Sequence, residues 1–255
     1  GGAMANRALR FVYLNFMGQP RGNAMLQALL RAGHRPTMVI EEKSKLAEKG
    51  FASLTKELKK VEDRFPLPPT LGSILNESPT QVPVSVVSQH NNDECLRILA
   101  DQKPDYIVLG DVRIIKAPLI KSAAKGVINV HPGFLPDVRG NNPYVHAVLN
   151  SLPQGCSVHF VDEDIDTGPV ILRRKMELQG KLTYPELLVR LNEMCCSVLV
   201  EALNNLLEGK AHGQPQNQIP VGTDKIWPTF SAASDEDKLR VDEILRAGTY
   251  RSSAE

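Results

Sequence analysis

Asp105-Tyr106-Ile107-Val108-Leu109 and Val127-Ile128-Asn129-Val130 are two short apolar runs, each followed by glycine, proline or polar residues. Runs of this length read as buried strands, and their alternation with helix-like stretches predicts βαβ units and a mostly parallel sheet. The pattern holds upstream. Arg10-Phe11-Val12-Tyr13-Leu14 reads as a first strand, followed by a turn containing Gly18 and Gly22 and a helix from about Asn23 to Ala32 that stops at Gly33. Thr37-Met38-Val39-Ile40 and Val84-Ser85-Val86-Val87 read as strands, and a helix opens near Asn91 with Glu94 placed as in a capping box. The expected class is α/β, a Rossmann-like, mostly parallel sheet with helices on both faces.

Downstream, Asn141-Asn142-Pro143 suits a helix start, with Asn as cap and Pro in the first turn. Cys156-Ser157-Val158-His159-Phe160-Val161 alternates like a strand, and Val170-Ile171-Leu172 begins another. Thr183-Tyr184-Pro185-Glu186 caps a long helix ending at Gly209. Its apolar stripe (Leu187, Leu188, Leu191, Met194, Cys195, Val198, Leu199, Ala202, Leu206) is expected to be core. Residues 43–60 are Lys/Glu-rich and helical, and 65–83 carry five prolines, so 43–83 is expected to form an excursion outside the core. The expected organisation is one catalytic domain over 5–209 and a polar extension, 210–255, packed on it. Gly1-Gly2-Ala3, ahead of Met4, reads as an expression remnant.

The 255 residues are 42% hydrophobic with a formal net charge of +1, so a sizeable core is available and no global field favours nucleic acid or membrane. No apolar run is long enough for a bilayer and nothing resembles a signal peptide, so a cytoplasmic location is expected. Cys95, Cys156, Cys195 and Cys196 form no C-x-x-C pair and are expected as free thiols; no metal site is expected.

Chemistry concentrates at two strand ends, where open parallel sheets place their ligands. In Ile128-Asn129-Val130-His131-Pro132, Asn129 and His131 leave the same face of an extended segment. An amide donor beside an imidazole can hold a carbonyl oxygen during nucleophilic addition, and histidine exchanges protons near neutral pH. Pro132, Gly133, Pro136 and Gly140 then impose a loop. The second end is Asp162-Glu163-Asp164-Ile165-Asp166-Thr167-Gly168-Pro169, whose turn can swing Asp166 back toward His131. Either could be ordinary: a histidine after a strand is commonly structural, and an acidic loop is commonly solvated. His159 reads as a satisfied sheet histidine, and His34, His90, His146 and His212 lack companions.

The combination Asn129-x-His131-Pro132, Leu135-Pro136, Arg139-Gly140 and, further on, Asp166-x-Gly168-Pro169 resembles the 10-formyltetrahydrofolate-dependent formyltransferase family. That family includes glycinamide ribonucleotide, methionyl-tRNA and nucleotide-sugar formyltransferases. The resemblance implies that Asn129 and His131 hold the formyl oxygen and that Asp166 sets the state of His131 and passes protons. It also implies a folate slot lined by Val112, Arg113, Ile114 and Ile115 and closed by Asp162, Glu163, Asp164 and Ile165. The co-substrate would be 10-formyltetrahydrofolate. Arg21, Asn141, Asn142 and Tyr144 would face an acceptor.

Two departures from the family pattern stand out, the first altering packing without removing a catalytic group and the second bearing on the acceptor. Gly133-Phe134 replaces the family's Ser-Leu, and Phe16-Met17-Gly18-Gln19-Pro20-Arg21-Gly22-Asn23 lacks the phosphate loop of the glycinamide ribonucleotide enzyme. The 210–255 stretch is too short for the methionyl-tRNA enzyme's C-terminal barrel. The expected activity is formyl transfer to a primary amine of a small molecule, such as a nucleotide-linked amino sugar or an amino-acid or peptide-like intermediate. The alternatives are a 10-formyltetrahydrofolate hydrolase, for whose leading domain the early first strand leaves no room, glycinamide ribonucleotide formyltransferase, and a folate-binding module without catalysis. The oligomeric state is left open, with a homodimer among the options.

Overall fold

The computed structural model describes residues 7–222 and 227–252. Gly1-Gly2-Ala3, expected as a remnant, the first two residues of the expected 5–209 domain and part of the expected extension lie outside the described residues. The strands are β1 (Phe11–Phe16), β2 (Met38–Glu42), β3 (Val84–Val87), β4 (Tyr106–Leu109), β5 (Gly126–His131), β6 (Gln154–Phe160) and β7 (Val170–Met176). The helices are α1 (Pro20–Arg31), α2 (Lys45–Lys59), α3 (Leu71–Asn76), α4 (Asp93–Gln102), α5 (Ala117–Ile120), α6 (Pro143–Leu149), α7 (Tyr184–Leu207) and α8 (Asp235–Ala247).

The strands form one sheet in the order β3-β2-β1-β4-β5-β6-β7. β1 to β5 pair in parallel, whereas β6 and β7 run antiparallel to their neighbours. Because side chains alternate across a strand, β1 feeds two cores. Phe11 and Tyr13 join the larger one with α1 and α7, while Val12 and Leu14 join a second with Cys95 and Leu99 of α4 and Leu119 of α5. The strands nearest the middle are buried on both faces, as their unbroken apolar runs anticipate. Among the described residues no helix is long and apolar enough to cross a membrane.

Local chemistry explains most element boundaries. Thr183 accepts from the Glu186 N–H and starts α7, whose stripe from Leu187 to Ala202 is buried apart from the half-buried Met194. Asn92, one residue later than expected, caps α4 by accepting from the Cys95 N–H. Two helix starts differ from the sequence reading. α1 begins at Pro20, and its cap is Gln19, whose side chain accepts from Gly22 N at 2.9 Å, so Gly22 lies inside the helix. Asn142 precedes α6 in the left-handed conformation (φ 45°) and makes no side-chain cap. Its side-chain Oδ1 instead accepts from the Ala233 N–H.

Residues 43–83, expected outside the core, contribute Leu58, Ile74 and Val82 to the larger core. α2 is amphipathic and lies on α7, which the Lys/Glu-rich composition hides. Val241 and Leu245 of α8 enter the same core.

Candidate active site

A cleft of about 330 Å³ opens where β4 and β5 end, beside the start of α1. Every residue singled out for catalysis, folate or acceptor lines it: Asn129, His131 and Asp166, both four-residue loop segments, and Arg21, Asn141, Asn142 and Tyr144.

The strand pairing builds its centre. Asn129 and His159 sit opposite each other in the β5–β6 ladder, as do His131 and Ser157. His159 Nδ1 donates to Phe160 O at 2.9 Å, which leaves Nε2 as the acceptor for Asn129 Nδ2 at 3.2 Å. One N–H of the Asn129 amide is thereby fixed and the other is left for the cleft. Burial and the neighbouring His131 hold His159 below the ordinary imidazole range, with Asp166 opposing them, so the neutral ring that this arrangement needs is favoured. The sequence reading took His159 for a structural sheet residue. The signal was its position, which alternation places on the opposite face from the core residues Cys156 and Val158.

His131 is buried, and its Nε2 donates to Val138 O at 2.9 Å. Nδ1 therefore faces the centre, 3.6 Å from Asp166 Oδ2. Gly133 makes room for the ring, since a Cβ there would lie 2.6 Å from His131 Nε2. Asp166 has φ 57° and accepts from Gly140 N at 2.8 Å. Its carbonyl oxygen, and that of Gly168, accept from Gln216 Nε2 at 2.7 and 2.8 Å. Gln216 Oε1 in turn accepts from Arg139 at 2.7 Å. Gly140 pairs with Phe230. Two points of the polar C-terminal stretch thus brace the main chain of the Asp166 turn and of Gly140, and nothing in its composition announced this.

The loop over 112–115 is anchored from behind. Arg113, at the cleft wall, makes a two-pronged contact with the fully buried Glu42, 2.6 Å at its shortest. Asn91 donates to Ile114 O and accepts from Lys116 N, both at 2.9 Å. Burial acts to raise the Glu42 carboxyl, but hydrogen bonds from Arg113, Ser44 and His90 N hold it below the usual carboxylate range. Its stabilisation is therefore present above the unfolded value of about 4.3 and is lost as pH falls through the lower folded value. Glu42→Gln is expected to cost about 3 kcal/mol at pH 7, because breaking a buried ion pair strands its partner. In denaturant titrations the gap from the parent should close as pH drops below about 4; a gap independent of pH would show that the charge is not what matters.

The other loop, 162–165, is shaped by Asp162, which accepts from Thr167 Oγ1 at 2.6 Å and from Asp164 N at 3.1 Å. Glu163, Asp164 and Ile165 are exposed. Among the described residues no group of three His, Cys, Asp or Glu could hold a metal ion. Arg21, expected to face an acceptor, is already paired with Asp111 at 3.1 Å. Gln19 occupies Gly22 N and also donates to Asp111 at 2.6 Å. The Gln19 cap and the Arg21–Asp111 pair thus engage the polar groups at the start of α1 within the chain itself.

Residues 17–203 match the family model for formyl transferase. The chain belongs to the formyl transferase family. The methionyl-tRNA formyltransferase of Koribacter versatilis is 30% identical over 207 residues, 80% of this chain and 62% of that protein. That of Chlorobium chlorochromatii is 31% identical over 137 residues, 53% and 44% of the two chains. The chain spans about half the length of these curated relatives. Among solved structures, a sugar N-formyltransferase from a Shewanella species superposes with a TM-score of 0.60 at 15% identity, covering 96% of this chain and 98% of that one. Glycinamide ribonucleotide transformylase 1 from Symbiobacterium toebii gives 0.58 at 18%, covering 81% and 94%. A formyltransferase from Anoxybacillus kamchatkensis, solved with a UDP-linked formamido sugar and tetrahydrofolate, gives 0.52 at 18%, covering 93% of each. At these identities the structural likeness is one of formyltransferase fold.

Proposed function

We propose that the chain transfers the formyl group of 10-formyltetrahydrofolate to the primary amine of a small molecule, with a nucleotide-linked amino sugar as the favoured acceptor. The observation that carries this reading is the convergence of Asn129, His131 and Asp166, from two separate segments, on one cleft in a member of this family. The folate supplies an activated formyl carbon. As the amine nitrogen bonds to that carbon, negative charge grows on the formyl oxygen, where the free N–H of Asn129 would donate, joined by Nδ1–H of His131 in its doubly protonated form, since Nε2–H is already given to Val138 O. Asp166 would accept the proton lost by the amine, directly or through water, and return it to the departing N10 as the carbon–nitrogen bond breaks. The loops over 112–115 and 162–165 would grip the pterin through their backbones.

The acceptor assignment draws on two features. The self-satisfied start of α1 argues against a terminal phosphate held there. The full-length coverage of a sugar N-formyltransferase fold favours that substrate class. With 10-formyltetrahydrofolate present, turnover is expected only when an amine is added, and a UDP-linked 4-amino sugar should outperform glycinamide ribonucleotide and methionyl-tRNA. Equal folate turnover without any amine would replace this reading with a hydrolase.

His159 would act as a positioning residue through Asn129. His159→Leu is expected to lower kcat by about tenfold to a hundredfold, less than outright loss of an oxyanion donor, while KM for the folate stays within a factor of about two. An unchanged kcat would reduce His159 to a sheet residue.

A further inference from the structure

We propose that a second pocket, sharing no lining residue with the catalytic cleft, binds a planar bicyclic molecule bearing an adjacent hydrogen-bond donor and acceptor on one edge, as a fused-ring lactam does. The pocket lies between α1, the 65–69 loop and α7, and its volume is about 320 Å³. A cavity of about 150 Å³ accommodates benzene, so this one has room for two fused rings.

Its walls are mostly apolar, with Leu58, Phe65, Pro66, Pro69 and Val189 among the lining residues. They are held in place: Pro69 O accepts from Asn23 Nδ2 at 3.2 Å, and the Asn23 side-chain oxygen accepts from Asn15 Nδ2 at 3.3 Å. Both asparagines are buried, so the slot does not depend on an exposed loop closing.

The polar feature is Asn192. It lies on the buried stripe of α7, one turn from Leu188 and beside Leu191, and is only 7% exposed. No described residue hydrogen-bonds its carboxamide, which lines the pocket. The carboxamide opens onto the pocket, and at this position of the stripe packing alone would be served better by leucine. A carboxamide pairs by two hydrogen bonds with any edge that offers a donor next to an acceptor, as Asn does with adenine. The rim chemistry narrows the occupant. Glu193 disfavours an anion. Burial pushes the Cys196 thiol up to about 12, so it is neutral and the ligand is held non-covalently.

Quinolin-2-one is a direct probe, and quinoline is its counterpart without the lactam edge. In calorimetric titrations of the full chain, quinolin-2-one is expected to bind saturably and about tenfold tighter than quinoline, the yield of two ordinary hydrogen bonds. Asn192→Leu should abolish that preference, and excess 5-formyltetrahydrofolate should not displace the probe. Should Asn192→Leu fail to fold, Ala24→Phe, which fills the slot from α1, should eliminate binding of both compounds. No saturable binding, an unchanged preference in the leucine variant, or displacement by the folate would each overturn the proposal.

Discussion

Asp166→Asn is expected to lower kcat about a thousandfold while leaving the fold and the folate KM nearly intact. The substitution isolates chemistry from shape. Asparagine tolerates the left-handed backbone that Asp166 adopts (φ 57°), and its side-chain oxygen can still accept from Gly140 N, which lies 2.8 Å from the aspartate. The two hydrogen bonds from Gln216 go to main-chain oxygens and persist. What disappears is the carboxylate 3.6 Å from His131 Nδ1, the group proposed above to take a proton from the attacking amine. General acid–base assistance is worth about 10²–10⁴, and loss of an orienting carboxylate beside a histidine about 10⁴. Steady-state rates at saturating amine and folate decide it. A variant within about tenfold of the parent would remove Asp166 from the mechanism.

The chemistry of this centre was more legible in the sequence than its support. Asn129 and His131 are two apart on an apolar strand, so extended geometry alone puts them on one face. Gly168-Pro169 announces the turn that returns Asp166. The supports come from elsewhere in the chain. Alternation puts His159 on the face away from Cys156 and Val158, but its partnership with Asn129 is recognisable only once β6 is known to run antiparallel to β5 in the register that sets the two opposite each other. Gln216 and Phe230 act through long-range contacts from a stretch without periodicity. Gln19 is not a favoured cap residue, so α1 was placed three residues late. Likewise, the charged surface of α2 and the prolines that follow obscured the few apolar positions, Leu58 and Ile74 among them, that tie 43–83 into the core. Composition describes the exposed face of a segment better than the narrow stripe that packs.

Gly168→Ala is expected to destabilise the protein by about 4 kcal/mol, at the severe end for a single substitution, and to abolish most activity even well below its melting temperature. A Cβ at Gly168 would lie 1.8 Å from Phe160 O and 2.8 Å from Phe160 C. Those are main-chain atoms that no rotamer change can clear. The strand end is pinned there by the hydrogen bond from Phe160 N to Pro169 O at 2.9 Å, so relief requires moving β6 or the 162–169 turn. Either movement reaches the active centre. Phe160 O is the acceptor that sets the His159 tautomer, and through it the orientation of the Asn129 amide. Displacing the turn pulls on Asp166 and on the Gln216 contact to Gly168 O. A suitable control is Gly72→Ala in α3, where an added Cβ meets nothing within 4 Å; it should stabilise the helix by about 0.5–1 kcal/mol and leave rates unchanged. Thermal unfolding should place the two variants on opposite sides of the parent, with Gly168→Ala lower by about 10 °C. If Gly168→Ala melts with the parent and keeps its kcat, the close approach of the turn to Phe160 is not what holds Asp166 and His159 in register.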